Sequence, residues 1–523
     1  MEAKSLSDIL DTVKQILSTA STVANLHAPQ NAKPNTSILP GSIPPLPAHA
    51  ENLPESTPPF QRTIDRLTQN ILPYLNASSL SSRYYGFVTG GVTPAALIGD
   101  ILTSIFDQNN AVHLPSESVG TIVEAAALNM LVDLFQLPKE EWEVGGEGSG
   151  GGVFTTGATA TNILGLTLGR EWVLTERVKE ATGKEAGMSV GGHGLLAVAQ
   201  AAGVDHVKVL STLPHSSISK AAGVIGLGRS AVQSIVRTGS ILDIDVEKLQ
   251  SLAEDAEAER TAYILAISAG EVNTGLFATD SGHVMQQVRE ICDKYKIWIH
   301  VDGAMGLFAR LLLNHFDTTN QYAKVTAGVK GLELADSIGA DGHKLLNVPY
   351  DCGIFFTRHK KLSEEVFSNG NPAYLASTAT DHVQNPFNIG LENSRRFRAL
   401  PVYTTLSAYG REGYVDMLRR QIGLSRKIAA WLYDHEQYDL LPQGGSGSKE
   451  EAVAKIFMIV LFRAKDEEKN KGLVSRIKSD GRIYVSGSVW DGKPATRIAV
   501  SNWRVNVQED GNIVQDVLED VLS

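Results

Sequence analysis

The sequence predicts an α/β protein: a large domain with a mostly parallel sheet, a smaller α+β domain after it, and a helical segment before it. Three observations carry that prediction. From about residue 60 to 390, short apolar runs alternate with amphipathic helical segments, the pattern of a parallel sheet covered on both faces. Beyond "RRFRALPVY" (395–403) the alternation stops, and a long helix precedes well-separated strands. Ahead of residue 60, a helical stripe is cut off by a proline-rich stretch. The expected boundaries are 1–59, 60–394 and 395–523.

Taken in order, Ile9, Leu10, Val13, Ile16 and Leu17 form an apolar helical stripe that needs a partner surface. The stretch "LPGSIPPLPAHAENLPESTPP" (39–59) reads as an extended connector, which frees the first helix to dock at a distance, on another subunit. Val119, Ile122, Val123, Ala126, Met130 and Leu134 predict a helix with that face buried. Strands follow at "GGVFTT", "HVKVL", "YILAIS", "KIWIHV", "DSIG" and "CGIFFT", separated by helices such as "DVEKLQSLAEDAEAER" and "HVMQQVREICDKY". In the last domain a helix near 414–435 precedes the strands "KIFMIVLF", "RIYVSGSVW" and "TRIAVSNW".

Composition sets limits on function. With 43% hydrophobic and 20% charged residues, the chain is globular, and a net charge of −11 argues against nucleic-acid or anionic-membrane partners. Two cysteines, Cys292 and Cys352, cannot build a disulfide framework and fit a reducing compartment. No apolar run approaches the roughly 20 residues that span a bilayer. The N-terminus lacks the basic start and apolar block of a secretory signal, so the expected location is the cytoplasm.

In α/β sheets ligands bind beyond the carboxyl ends of the strands. Three of these ends carry unusual groups. "GGVFTTGATATN" turns from a strand into a helix N-terminus rich in Gly, Ala and Thr, where free N–H groups suit a phosphate and Thr159 adds a hydroxyl. Taken alone, Thr159 or Thr161 reads first as a helix cap. "KIWIHVDGA" ends in Asp302, a turn residue, a metal ligand or the partner of a cation. Metal is disfavoured, because His300 and Asp302 have neither a second carboxylate nor HxxxH spacing beside them. "DSIGADGHK" runs into His343 and Lys344, whose flanks are too apolar for an ordinary solvated lysine. Phosphate cradle, strand-end acid and buried lysine together meet the needs of pyridoxal 5'-phosphate.

In the blocks "YYGFVTGGVTPAALIGDIL", "LPSESVGTIVE", "WIHVDGAMG", "ADSIGADGHKLLNVPYDCG", "RRFRALPVY" and "RIAVSNWRV", over roughly residues 60–510, the chain resembles the group II pyridoxal-phosphate-dependent amino-acid decarboxylases. This family includes the aromatic amino-acid, tyrosine, glutamate and histidine enzymes. The resemblance implies a type I pyridoxal-phosphate fold and a homodimer with shared active sites. It implies that Lys344 is the Schiff-base lysine, with His343 beside it near the phosphate. Asp302 would be the pyridinium partner and Ala304 would pack near the ring. Ala158 and Thr159 would hold the phosphate. His215 in "LPHSSISK" would stack on the ring and donate a proton, and Thr89 would face the substrate. The implied reaction removes the α-carboxylate of an L-amino acid, an aromatic one by first expectation, to give an amine and CO2.

Two stretches depart from the family pattern. Near the position of a mobile-loop tyrosine stand Asn385, Pro386 and Phe387, with Tyr374 too early and His382 as another proton source. In relatives with phenylalanine there the product is an aldehyde, with ammonia and peroxide, so an aldehyde synthase is the alternative. On the substrate side, "NNAVHLPSE" offers Asn110, Val112 and His113 in place of larger apolar residues. Two rivals are set aside. "GEGSGG" (146–151) fits GxGxxG but precedes a strand instead of opening a helix, so it reads as a loop. A regulatory protein on a retired scaffold would not need to keep Lys344, Asp302 and His215 together.

Overall fold

The run Thr261–Ser268 is buried along its whole length, and its side chains divide between two apolar clusters, Ile264 and Ala266 in one, Leu265 and Ile267 in the other. Successive side chains of a strand point to opposite faces, so a strand apolar at every position is covered on both sides. The computed structural model describes residues 6–19, 38–40, 42–47, 52–146, 148–183, 188–314, 320–368, 383–442 and 447–522. Tyr374 and His382 lie outside the described residues.

The strands in chain order are β1 (Tyr84–Tyr85), β2 (Gly151–Thr155), β3 (His206–Ser211), β4 (Val232–Ser234), β5 (Thr261–Ser268), β6 (Trp298–Asp302), β7 (Ser337–Asp341), β8 (Gly353–Thr357), β9 (Tyr438–Leu441), β10 (Ile459–Ala464), β11 (Tyr484–Trp490) and β12 (Lys493–Ala499). The large sheet has the order β2-β8-β7-β6-β5-β3-β4. Only β8 runs against its neighbours. The expected α/β architecture with its mostly parallel sheet is therefore present. Register aligns Ser268 with Asp302 and Asp302 with Gly339, which brings the ends of β5, β6 and β7 level. Helix Ala158–Thr182 lies against this sheet. A Cβ at Gly165 would sit 2.2 Å from His300 Nδ1 and one at Gly169 2.8 Å from the Trp298 ring, so the two glycines set how closely helix and sheet approach.

The second sheet, β1-β11-β12-β10-β9, is antiparallel except where β1 joins it, Tyr84 and Tyr85 pairing with Tyr484 and Val485. A two-residue strand has too little pattern to be read from sequence, and β4 and β9 are scarcely longer. The helix expected near 414–435 is the second part of Ala399–Asp434, which breaks at Gly410, where φ is +55°. Only glycine adopts that conformation without strain.

One helix turns inward a face that overlaps the expected one only in part: Leu134 is buried, and Val123 and Met130 pack partly against the core. In Gly120–Leu134 the buried residues include Glu124, Ala127, Leu128 and Leu131, while Val119 and Ile122 are exposed. The reason is a carboxylate. Arg395 Nη1 and Nη2 each lie 2.9 Å from a different oxygen of Glu124, both side chains are almost wholly buried, and Arg395 also donates to the carbonyls of Asn110 and Phe154. This pair rotates the helix and anchors the "RRFR" block to the sheet. The N-terminal helix, Leu6–Thr19, leaves Leu6, Ile9, Leu10 and Val13 exposed. Among the described residues, no helix is long and apolar enough to cross a membrane.

Candidate active site

Five parallel strands, β2, β3, β5, β6 and β7, end on one side of the sheet, and the segments leaving them enclose a cavity of about 360 Å³. That volume is in the range of small-molecule sites. A wider cleft of about 1110 Å³ between Trp172 and Lys360 lies apart from these strand ends. Of the residues singled out from sequence, Ala158, Thr159, His215, Asp302, Ala304, His343 and Lys344 all line the smaller cavity. Thr89 does not. It is buried one residue beyond the lining Val88, with its hydroxyl 3.2 Å from that of Tyr350. Asn110 and His113 are also absent from the lining: Asn110 donates to Glu124, and His113 Nδ1 lies 2.6 Å from the Thr121 hydroxyl.

Lys344 sits in the short helix Gly342–Leu345 directly after β7, and its Nζ lies 2.8 Å from Asp341 Oδ2. The other oxygen, Asp341 Oδ1, accepts the N–H of Ala158 at 2.6 Å. One carboxylate thus joins the lysine to the first turn of helix Ala158–Thr182. Sequence reading passed over Asp341, although it stands inside the "SIGADGHK" block. Two further blocks converge behind the lysine. Asn347 Nδ2 donates to Gly90 O (2.7 Å) and Ser501 O (3.2 Å), and Thr93 N–H donates to Asn347 O. Gly90 is packed so closely that a Cβ there would lie 1.8 Å from Lys344 O.

At the N-terminus of Ala158–Thr182 the cap residue is Gly157, without a side-chain capping bond. Thr161 Oγ1 instead donates back to Ala158 O. The cap reading of Thr159 and Thr161 is therefore wrong: neither hydroxyl caps the helix, and residues Thr156–Ala160 face the cavity. In the first turn of this 25-residue helix the Ala158 N–H is taken by Asp341 and those of Ala160 and Thr161 by Gly157 O, which leaves the Thr159 N–H and the positive end of the dipole facing the cavity, as a phosphate requires.

Asp302 is buried, its Oδ1 accepting the Ala304 N–H and its Oδ2 an N–H of Asn162 at 2.9 Å. His300, two residues back and fully enclosed, is pushed down to about 4 by burial, so it is neutral near pH 7. His343 is also held below the usual histidine range by burial. Its Nδ1 donates to Cys352 O at 3.2 Å, and its ring stacks on Tyr350 at 4.6 Å. His215 caps helix Ser216–Val224 through its ring, with Nδ1 on Ser217. Asn162 and Ser217 are buried polar side chains of helices that carry other polar residues, so the sequence does not single them out.

Lysine, strand-end acid and helix N-terminus stand around a single cavity of suitable size, and this set fits pyridoxal phosphate. Among the described residues, no three His, Cys, Asp or Glu side chains gather as a metal site. Phe387 is buried, its N–H donating to Ala111 O, and does not line the cavity of its own chain.

Comparison with known proteins points the same way. The pyridoxal-dependent decarboxylase conserved domain matches residues 43–448. The chain is 31% identical to the L-2,4-diaminobutyrate decarboxylase of Acinetobacter baumannii over 327 residues, 62% of this chain and only 57% of that enzyme. It is 23% identical to the aromatic-L-amino-acid decarboxylase of Catharanthus roseus over 493 residues, 91% of this chain and 87% of that one. The solved 4-hydroxyphenylacetaldehyde synthase of Rhodiola rosea shares the fold, with a TM-score of 0.76 at 16% identity over 99% of both chains.

Proposed function

The chain belongs to the pyridoxal-dependent decarboxylase family, a family of carboxy-lyases that use pyridoxal 5'-phosphate, and we propose that it converts an aromatic L-amino acid to its amine and CO2. The observation that carries this reading is the enclosure of Lys344, Asp302, His215 and the 156–160 turn around one cavity. Bound there, the cofactor supplies an electron sink that lets the α-carboxylate leave.

The roles we assign are these. Lys344 Nζ would hold the cofactor covalently, and Asp341 orients the amine. Asp302 pairs with the ring nitrogen beside Ala304. The turn at Ala158 and Thr159 binds the phosphate through the Thr159 N–H and hydroxyl, with His343 alongside. His215 covers the ring and holds a proton at its cavity-facing nitrogen. Val88, Leu213, Val272 and Met305 supply apolar wall that favours an aromatic side chain and excludes water. Thr89 supports the wall at Val88 and holds Tyr350. Behind Val272 lies a group that sequence reading missed. Arg497 donates to Val272 O and Gly86 O, is buried, and makes no ion pair among the described residues. Burial pushes it down to about 10, so it remains a cation near neutral pH, and its bond to Val272 O holds that part of the cavity wall in place.

We further propose a homodimer, supported by the apolar side chains left exposed on two helices: Ile9 and Val13 near the N-terminus, and Ile98 and Phe106 on Pro94–Phe106. Residues 1–59, 60–394 and 395–523 are our proposed units, with β1 reaching from the second into the third. Two unpaired cysteines support a cytoplasmic setting.

An aldehyde synthase is the second reading, favoured by the absence of tyrosine from Val383–Ser394. Mass spectrometry of products formed in air from a panel of amino acids, with ammonia and peroxide assayed in parallel, tests both. Amine without peroxide supports the decarboxylase. Aldehyde with stoichiometric ammonia and peroxide overturns it in favour of the synthase.

A further inference from the structure

Asp302 ends one strand and His215 follows another, yet a single side chain lies between them. Asn162 Nδ2 is 2.9 Å from Asp302 Oδ2 and 2.9 Å from Ser217 Oγ. Ser217 Oγ in turn is 2.7 Å from His215 Nδ1. On its other side Asn162 Oδ1 is 2.9 Å from His300 Nε2. His300 Nδ1 is 2.8 Å from Ser337 Oγ, which receives the indole N–H of Trp298 at 3.2 Å. Asn162, Ser217, His300 and Ser337 are all buried.

We propose that Asn162 is a positioning residue that ties the acid on the cavity floor to the histidine at its rim, and that the resulting chain of hydrogen bonds keeps His215 in the Nε2–H tautomer. This rests on the placement of Asp302 and His215 in the cofactor site proposed above.

The direction of the chain follows from groups that can act in only one sense. An indole N–H only donates and an ionised carboxylate only accepts. Trp298 therefore donates to Ser337, and the Ser337 hydroxyl proton is free for His300 Nδ1. Neutral His300 then carries its proton on Nε2 and donates to Asn162 Oδ1. Asp302 independently demands the NH2 end of Asn162, since the opposite flip would set two oxygens against each other. The second N–H of Asn162 goes to Ser217 Oγ, whose proton goes to His215 Nδ1. The Ser217 backbone N–H also donates to that same nitrogen, at 3.2 Å. Both ends of the chain thus give one answer: His215 Nδ1 accepts and Nε2 carries the proton. Nε2 makes no hydrogen bond to a described residue, and the ring lines the cavity, so its N–H is the group offered to whatever binds there.

The test is ¹⁵N NMR of histidine-labelled holoenzyme, with the His215 signals identified by their loss in His215→Gln. The expected spectrum has a protonated Nε2 and a bare Nδ1. Ser217→Ala removes the shorter of the two donors to Nδ1 and leaves the backbone N–H, so it should shift the Nδ1 signal toward that of an unbonded ring nitrogen, and Ser217→Thr should restore it, a rescue that mere packing would not give. Asn162→Leu should shift it too, and should raise the dissociation constant for pyridoxal phosphate about 10- to 100-fold as Asp302 loses its donor. If Asn162→Leu does not fold, Ser217→Ala decides at the far end of the chain. A wild-type His215 protonated on Nδ1, or signals unmoved by Ser217→Ala, would overturn the proposal. Wild-type protein that acquires no visible cofactor band would instead overturn the functional reading, and the same spectrum of the cofactor-free chain would still decide the tautomer.

Discussion

Gly90→Ala should cripple the reaction without removing any chemical group. A Cβ at residue 90 would lie 1.8 Å from Lys344 O and 2.6 Å from Asn347 Nδ2. Carbon and oxygen do not approach within 3.0 Å in folded chains, so the Lys344 backbone must retreat by roughly 1 Å, the misplacement that costs on the order of 100-fold in rate. That factor corresponds to about 2.7 kcal/mol of activation free energy. Retreat is hard to avoid. Asn347 ties the two segments together through Gly90 O and Ser501 O, and Thr93 N–H binds Asn347 O. The assay is kcat for CO2 release, with thermal melting and the visible cofactor band measured on the same samples. Gly191→Ala, with open space around it and no positive φ, serves as a control for substitution itself. Folded, cofactor-loaded Gly90→Ala protein with wild-type kcat would refute the claim that this contact sets the position of the lysine.

Other consequences concern the scaffold. Glu124→Ala strands Arg395 in the core without its bidentate partner, and should cost about 3–5 kcal/mol in urea unfolding. His300 titrates at about 4 in the fold against 6.5 ordinarily, so the unfolded chain binds more protons between those values. Stability should therefore rise with pH across that window and be lost on acidification, by on the order of 3 kcal/mol at about 1.4 kcal/mol per pKa unit. His300→Gln should flatten that part of the pH profile of chemical unfolding. Burial pushes both thiols, Cys292 and Cys352, well above the usual range. Neither should react with an aromatic disulfide reagent in the native protein, and both should react once it unfolds.

The parts of this molecule that were legible in the sequence share one property: their signal is local. Strands β2, β5, β6, β7 and β8 are short runs bounded by turns and buried at every residue, and β3 is buried over its second half. Asp302, His343 and Lys344 stand out because strong polarity follows such runs directly. What stayed hidden depends on partners distant in the chain. The inward face of Gly120–Leu134 is decided by Arg395, 271 residues away from Glu124. β1 is a strand only because Tyr484 and Val485 pair with it. Asn162 looks like one polar residue among several in its helix until His300, Asp302 and Ser217 are seen around it. Asp341 was in plain view, but its two tasks require knowing that Ala158 comes alongside.

The most direct test is borohydride reduction of the protein loaded with pyridoxal phosphate, followed by proteolysis and mass spectrometry of every lysine-containing peptide. The expected result is a single phosphopyridoxyl group on Lys344, absent from Lys344→Ala together with the visible absorption band. Label on another lysine, or an undiminished band in Lys344→Ala, would contradict the assignment from which the roles of Asp341, Asp302 and His215 follow.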